Sequence, residues 1–313
     1  MPVNSQSTNS LYLKDIISFN DLTFSEVELI LQTAKKIKSG QIRCSIQDKL
    51  IANCFFEPST RTRLSFEAAI YRMGGKVIGF PDDSSLSVRK GETLADTMRV
   101  IAGYADLIII RHPRDGSARL TAEVANCPVI NAGDGANQHP TQALIELFSI
   151  QECQSSLNGL SIALVGDLKY GRAIHSFIEA CLMFDVRLYL VSPELLTLPD
   201  TICDKLKKRG VRFSFHQNIE EVIPKVDILY ITRIQQERFT ETEYQLIQSK
   251  FILTANMLEK AKKNLKVLHP LPRVNEVALD VDKTPYAYYF QQATNGVVIR
   301  QALLTLIFNE VLP

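Results

Sequence analysis

The chain has 313 residues, of which 46% are hydrophobic and 22% charged, and a formal net charge of +1 at pH 7. This indicates a globular protein of about two domains, and no apolar run approaches a membrane span. The near-neutral charge argues against broad nucleic-acid binding. The six cysteines form no C-x-x-C pair and residues 1–10 are polar. We therefore expect a cytoplasmic protein without a secretory signal, a disulfide framework or a zinc site.

The first half of the chain alternates short apolar runs with helical patterns. Thr23 and Glu26 have the spacing of a capping box and predict a helix that runs to Gly40. The predicted strands that follow are 50–56, 77–80, 107–110 and 128–131, and the predicted helices are 64–73, 92–104, 117–125 and 142–154. Such a βα alternation predicts a parallel sheet with helices on both faces.

The second half repeats this rhythm after residues 155–159, which we predict to be a hinge. Its predicted strands are 161–165, 186–191, 211–215, 227–231 and 266–268, and its predicted helices are 172–184, 200–209 and an amphipathic helix from Thr294 to about Val311. We therefore predict an α/β protein with two similar-sized doubly wound domains, each a central parallel sheet flanked by helices, and an active site in the interdomain cleft. The predicted domains are residues 1–140 with 296–313 and residues 155–290, joined by a connecting helix at 141–154.

The stretch from Leu50 to Gly75 has the residues expected for an anion site. A buried strand is followed by the run Ser59-Thr60-Arg61-Thr62-Arg63, which opens a helix. The N–H groups and the positive dipole end of that helix lie beside three hydroxyls and two guanidiniums, which suits a doubly charged oxyanion such as phosphate. The alternative is a capped helix with two surface arginines. Five consecutive donors directly after a buried strand favour the anion site, because open α/β sheets bind ligands there.

Cationic residues also follow other predicted strands. They are Arg111, His139, Arg172, Arg233 and Arg273. Because the carboxyl ends of parallel strands share one edge of a sheet, these residues could line one cleft whose ligands carry several negative charges, although each alone could be a surface residue. The chain has neither the G-x-G-x-x-G spacing nor a G-x-x-x-x-G-K-[ST] motif, which disfavours NAD and ATP. We predict no cofactor and no metal.

Seven stretches resemble the catalytic chains of the aspartate carbamoyltransferase family, over nearly the whole length of the chain. They read FFEPSTRTRLSFE, SVRKGETLADT, RHP, NAGDGANQHPTQALIELF, VGDLKYGR, ITRIQQER and VLHPLPRVNE. The H-P-L-P-R element is similar to the aspartate branch of the wider carbamoyltransferase group, whereas the ornithine branch typically has H-C-L-P. The resemblance implies transfer of a carbamoyl group from carbamoyl phosphate to the α-amine of L-aspartate (EC 2.1.3.2), an early step of pyrimidine biosynthesis.

The resemblance also implies a role for each matching residue. The phosphate is expected to bind Ser59, Thr60, Arg61 and Thr62. The carbamoyl oxygen is expected to bind Thr62, Arg111 and His139, and the carbamoyl nitrogen is expected to bind Gln142. The carboxylates of aspartate are expected to bind Arg172, Arg233 and Gln235. The carbonyl of Leu271, which precedes a cis bond to Pro272, is expected to contact the substrate amines. Ser87 and Lys90 are expected to reach in from a neighbouring subunit of a homotrimer, with Ser85 as the alternative to Ser87. The expected catalytic residues are Arg61, Thr62, Lys90, Arg111 and His139.

No carboxylate or cysteine stands out as a nucleophile, so we infer direct attack by the aspartate amine without a covalent intermediate. Charge that grows on the carbonyl oxygen would be stabilised by Thr62, Arg111 and His139. The departing phosphate is one candidate acceptor for the amine proton. His139 could instead serve only to start a helix.

Three alternatives follow from the same residues. A carbamoyltransferase for another amine such as ornithine is disfavoured by Arg233 and Gln235, because a cationic substrate would need acidic partners. A non-catalytic chain that binds anions as a scaffold is disfavoured because every expected site position is filled. Some members of the family bind a regulatory chain with nucleotide and zinc sites, so the resemblance leaves open both a free trimer and a larger assembly.

Overall fold

Strands and helices alternate along the residues that the structure describes, 9–82, 91–234 and 251–312. In this computed structural model the chain divides into two compact units. The first unit combines Met1–Phe148 with Thr294–Pro313, and the second is Ser149–Ala293. The predicted α/β class, with two parallel sheets flanked by helices, is confirmed. Within the described ranges, no helix has both the length and the apolar character that a bilayer crossing requires.

The first unit is built on a four-stranded parallel sheet with the order β2-β1-β3-β4. Its strands are β1 (Leu50–Phe55), β2 (Lys76–Phe80), β3 (Leu107–His112) and β4 (Val129–Asp134), and its helices include α1 (Phe24–Lys38), α2 (Thr60–Arg72), α3 (Leu94–Ala102) and α4 (Ser117–Val124). Strand β1 is central, because Ile51 pairs with Val77 on one side and Leu107 on the other. Every residue of β1 after Leu50 is buried, which accounts for its continuous apolar run.

The second unit contains a five-stranded parallel sheet with the order β7-β6-β5-β8-β9. Its strands are β5 (Leu160–Val165), β6 (Val186–Val191), β7 (Arg212–His216), β8 (Ile228–Ile231) and β9 (Lys266–Leu268), and its helices include α6 (Arg172–Cys181) and α7 (Asp200–Lys208). The chain extends the sheet from β5 through β6 and β7, and then from the other side of β5 through β8 and β9. This reversal creates a switch point between β5 and β8, where open α/β sheets bind ligands.

A glycine lets the chain turn at this switch point. Gly166 follows β5 with φ of +116°, and a Cβ atom there would lie 2.3 Å from the carbonyl oxygen of Thr232, just after β8. The N–H of Thr232 donates to the carbonyl of Val165 at 2.9 Å. The segments that follow β5 and β8 therefore run side by side, at a separation that only glycine allows.

Two helices contribute residues to both units. Helix α5 (Pro140–Gln154) passes from the first unit to the second, and α8 (Tyr289–Phe308) returns to the first. Helix α8 begins at Tyr289 rather than at the predicted Thr294, because its hydrogen bonds already start with the N–H of Gln292 donating to the carbonyl of Tyr288 at 2.8 Å. Residues 302–307 are all buried, so the predicted amphipathic character holds only for the first half of this helix.

Candidate active site

The turn between β1 and α2 brings the predicted phosphate donors to the beginning of a helix. Ser59 is the N-cap residue with an extended backbone, and its side chain makes no capping hydrogen bond. Thr60 and Arg61 are exposed, and Thr62 is 9% exposed. The first N–H groups of α2 thus lack a side-chain cap and lie beside hydroxyls and an exposed guanidinium at the positive end of the helix dipole. This arrangement can bind an anion.

Arg63 differs from the other predicted donors of this turn. Its Nε lies 2.8 Å from Oε1 of Glu67, one helical turn further along α2. The same carboxylate oxygen accepts a hydrogen bond from Nδ2 of Asn53 in β1 at 3.3 Å. The i,i+4 spacing therefore engages Arg63 within its own helix. Of the two guanidiniums expected at the anion site, the exposed one is Arg61.

Arg111 lies at the end of β3, opposite Phe55 of β1. Its Nε lies 2.8 Å from Oε1 of Glu57, and Nη1 donates to the carbonyl of Ala132 at 3.4 Å. Glu57 directly follows Phe56, whose N–H donates to the carbonyl of Arg111 at 2.8 Å. Glu57 is not among the residues predicted from the sequence. Its position, an acidic residue between a buried strand and a cluster of cationic donors, could have indicated it.

His139 lies in the turn between β4 and α5 and is 5% exposed. Its carbonyl accepts the N–H groups of Gln142 and Ala143 at 3.0 and 3.3 Å, so it starts α5 directly before Pro140. The turn is held by Asp134, which is 1% exposed and accepts the N–H of Gln138 at 3.2 Å. His139 is thus a buried residue whose backbone starts α5 after the end of β4.

The two arginines predicted to bind aspartate follow neighbouring strands of the second sheet. Arg172 is the first residue of α6, and Arg233 follows β8; both are half-buried. The turn before Arg172 is held by the buried Asp167, whose Oδ1 accepts the N–H groups of Lys169 at 3.1 Å and Tyr170 at 2.9 Å. Because β5 and β8 are adjacent, both guanidiniums belong to segments at the switch point of this sheet.

The segment after β9 presents Leu271 with φ of +57°, and the Leu271–Pro272 bond is cis, as predicted. His269 holds this segment, since its Nδ1 accepts the N–H of Leu271 at 2.8 Å. The ring proton therefore lies on Nε2 and is donated to Oε1 of Glu276 at 2.7 Å. Burial acts to raise the pKa of Glu276, but the hydrogen bonds from His269 and from the backbone N–H of Val274 outweigh burial and lower it.

Arg273, which follows β9, forms an ion pair within the second unit. Its Nη2 donates to Oδ2 of Asp282 at 2.5 Å, and its Nη1 to Oδ1 of the same carboxylate. Nη1 also contacts the hydroxyl of Tyr289 at 3.1 Å. A carboxylate nine residues further along the chain thus binds the guanidinium in a bidentate manner.

Four expected site residues lie outside the described residues. They are Ser87, Lys90, the alternative Ser85, and Gln235. In the part of the chain that is described, no group of three or more histidine, cysteine, aspartate or glutamate side chains could hold a metal ion.

Two family models cover most of the chain. The model "Aspartate/ornithine carbamoyltransferase, carbamoyl-P binding domain" matches residues 14–152, which lie mainly in the first unit. The model "Aspartate/ornithine carbamoyltransferase, Asp/Orn binding domain" matches residues 158–307. The turn with Ser59–Thr62 lies within the residues that the first model matches, and Arg172 and Arg233 lie within those that the second matches.

Individual relatives are similar along almost their entire length. The chain is 54% identical over 300 residues to the aspartate carbamoyltransferase catalytic subunit of Chromobacterium violaceum, which covers 96% of this chain and 99% of that protein. It is similar to the catalytic subunit of M. jannaschii aspartate transcarbamoylase (TM-score 0.87, 44% identity, 93% of this chain and 97% of that chain). It is also similar to aspartate transcarbamoylase from Trypanosoma cruzi in complex with carbamoyl phosphate and aspartate (TM-score 0.89, 34% identity, 96% and 97% of the two chains). The chain belongs to the aspartate/ornithine carbamoyltransferase family.

Proposed function

We propose that the chain is an aspartate carbamoyltransferase, which converts carbamoyl phosphate and L-aspartate to N-carbamoyl-L-aspartate and phosphate in pyrimidine biosynthesis. The observation that carries this proposal is the presence of two sets of anion donors, one at the first turn of α2 and one at the β5–β8 switch point. The T. cruzi relative, 34% identical, was solved with carbamoyl phosphate and aspartate bound, which supports the same pair of substrates here.

Carbamoyl phosphate binds to the first unit. Its phosphate accepts hydrogen bonds from Ser59, Thr60, Arg61 and Thr62 and from the N–H groups at the start of α2. The carbonyl oxygen of the carbamoyl group accepts from Thr62, Arg111 and His139, and Gln142 binds the carbamoyl nitrogen. The ion pair of Arg111 with Glu57 holds the guanidinium from its Nε side at the carboxyl end of β3.

Aspartate binds to residues of the second unit. Its two carboxylates pair with Arg172, Arg233 and Gln235, since the planar guanidinium fork matches a carboxylate. The carbonyl of Leu271 accepts a hydrogen bond from the amine of aspartate. An ornithine side chain would bring a cation to two half-buried guanidiniums, which opposes its binding.

The reaction is a direct displacement at the carbamoyl carbon. The ammonium group of aspartate first loses one proton to solvent, and the lone pair of the resulting amine forms the new C–N bond while the C–O bond to phosphate breaks. The departing phosphate takes up the second proton from the attacking nitrogen. Negative charge grows on the carbonyl oxygen in the transition state, where each hydrogen-bond donor contributes about 3 kcal/mol. Arg61 neutralises the leaving phosphate.

We assign the remaining expected residues to a site shared between subunits of a cytoplasmic homotrimer. Ser87, or Ser85 in its place, and Lys90 would reach the carbamoyl phosphate of a neighbouring chain. The name "catalytic subunit" of the C. violaceum relative suggests a regulatory partner. A larger assembly would then consist of this trimer together with regulatory chains.

A colorimetric assay of N-carbamoyl-L-aspartate on the purified chain tests the function. We expect product from carbamoyl phosphate with aspartate and none with ornithine. N-(phosphonacetyl)-L-aspartate, bound in another T. cruzi structure, should inhibit competitively with carbamoyl phosphate. Product from ornithine alone, or no product from either amine, would overturn the proposal.

A further inference from the structure

Gln142 is held by a carboxylate one turn further along α5. Its Nε2 donates to Oε1 and Oε2 of Glu146 at 3.0 and 3.1 Å. An ionised carboxylate only accepts hydrogen bonds, so the NH₂ group of the amide must face Glu146. The carbonyl oxygen of Gln142 is thereby left as the acceptor for a ligand.

Glu146 is completely buried, and a buried carboxylate needs a compensating charge. Arg300 of α8 supplies it, since it is 2% exposed and attracted electrostatically to Glu146. Burial lowers the pKa of Arg300 to about 9, and Glu146 acts in the opposite direction. The guanidinium therefore remains charged at neutral pH.

Arg300 is itself fixed by helix α2. Its Nη1 donates to Oγ of Ser65 at 3.0 Å, and its guanidinium carbon lies 4.5 Å from the centre of the Phe66 ring. Gly296, one turn earlier in α8, makes room for it, because a Cβ atom at that position would lie 2.5 Å from Nη1. Arg300 thus contacts the helix whose first turn carries the phosphate donors and compensates a carboxylate on the helix that carries Gln142.

We propose that Glu146 and Arg300 are positioning residues that orient the Gln142 amide so that its carbonyl oxygen accepts from the NH₂ group of the carbamoyl substrate. This inference rests on the proposed function. A carbamoyl NH₂ group only donates hydrogen bonds, so a reversed Gln142 amide would set donor against donor. Acetyl phosphate carries a methyl group at that position and gains nothing from the carbonyl oxygen. Glu146 and Arg300 therefore contribute to selection of carbamoyl over acyl phosphates.

The test compares Glu146→Gln, Gln142→Ala and the double variant, with Glu152→Gln as the matched control on an exposed part of the same helix. We expect Glu146→Gln to lower kcat/KM for carbamoyl phosphate roughly 10- to 100-fold. In the Gln142→Ala background, Glu146→Gln should lower kcat/KM further by less than about twofold. The inhibition constant of acetyl phosphate should change less than about twofold in every variant, which a general loss of structure would not permit.

Additive effects of the two substitutions, or an equal loss of acetyl phosphate binding, would overturn the inference. The proposed function would still stand if the wild-type chain transferred the carbamoyl group. A wild-type chain that forms no carbamoyl-aspartate would overturn both. Circular dichroism checks folding. Should Glu146→Gln fail to fold, Glu146→Asp replaces it, because the shorter side chain keeps a charge beside Arg300 but withdraws it from Gln142. We expect the effects of Glu146→Asp and Gln142→Ala on kcat/KM to be non-additive in the same way, and additive effects would overturn the inference.

Discussion

Glu57 and Arg111 form an ion pair at the carboxyl ends of β1 and β3, with Oε1 of the carboxylate 2.8 Å from Nε of the guanidinium. The two side chains are 26% and 15% exposed, so solvent screens the pair only in part. The carboxylate contacts the guanidinium on its Nε side, and Nη1 donates to the carbonyl of Ala132 at 3.4 Å. Glu57 thus orients the group that we propose to bind the carbamoyl oxygen.

Glu57→Gln should lower kcat less than Arg111→Ala. The glutamine still has an oxygen near Nε but lacks the charge that holds the guanidinium of Arg111. We therefore expect kcat to fall roughly tenfold. Arg111→Ala removes an oxyanion donor, at a cost of roughly 100- to 1000-fold. Steady-state kinetics at saturating substrates measure both values. An Arg111→Ala enzyme that outperforms Glu57→Gln would contradict this order.

Arg61→Ala should lower kcat about 1000-fold while the fold stays intact, because a charge-assisted contact with the phosphate dianion is lost. The matched control is Arg72→Ala, an exposed arginine in the last turn of the same helix, which should keep wild-type turnover. Circular dichroism compares the folds. If Arg61→Ala retained more than about a tenth of the wild-type kcat, Arg61 would not belong to the site.

Arg233→Ala should raise the KM for aspartate far more than it weakens binding of carbamoyl phosphate, since the two ligands use residues of different units. A rise of roughly 100-fold in the KM for aspartate is expected when one arginine of a carboxylate clamp is removed. The control is Arg209→Ala, which lies exposed at the end of α7 in the same unit. Equal weakening of both substrates in titration calorimetry would contradict the division of roles.

Glu276 should give the second unit an acid-sensitive contribution to stability. Its pKa in the folded chain is lowered from 4.5 despite burial, through the hydrogen bonds of His269 and backbone N–H groups. The stabilisation is therefore present above pH 4.5 and is lost as the pH falls through the folded pKa. Glu276→Gln should be less stable by about 1–3 kcal/mol at neutral pH and should lose less stability on acidification.

Urea unfolding at a series of pH values from about 7 to about 3 measures this difference. Glu259→Gln, at an exposed position of the same unit, is the matched control and should follow the wild-type curve. Parallel curves for wild type and Glu276→Gln would show that His269 does not stabilise the charged form of Glu276.

Sites shared between subunits should reveal themselves by complementation. Arg61→Ala and Lys90→Ala chains, each nearly inactive, are dissociated, mixed equally and reassembled. A site is intact only when a chain with Arg61 receives Lys90 from its neighbour, so random closed assembly should restore about a quarter of the sites. Mixed trimers found by mass spectrometry without any recovered activity would mean that each chain builds its site alone.

The strand-end donors were predictable because they obey local rules. An apolar run predicts a buried strand, and the carboxyl ends of parallel strands share one edge of a sheet. Ser59–Arg63, Arg172 and Arg233 could therefore be identified as candidates from the sequence. Partners distant in sequence follow no such rule. The carboxylate of Asp282, which binds Arg273, was not predicted.

Glu146 and Arg300 were missed for the same reason, although the sequence carried a signal. Each interrupts an apolar run, ALIELF around Glu146 and VVIRQALL around Arg300. A charge enclosed by apolar neighbours on a helix is costly to bury alone, so each of these two residues implied a partner of opposite sign. The pairing itself depends on the packing of α5 and α8, which no local pattern encodes.

The first unit is assembled from two stretches of chain that are far apart in sequence, and this imposes an order on its biosynthesis. The ribosome releases the second unit as one continuous stretch before it releases Arg300. Until then the carboxylate of Glu146 has no guanidinium beside it, and Nδ2 of Asn9 lacks the carbonyl of Leu306, which it contacts at 2.6 Å. The unit that carries the phosphate donors is therefore completed after the second unit, and a nascent chain cannot form the contacts of Glu146 and Asn9 before Arg300 and Leu306 have been synthesised.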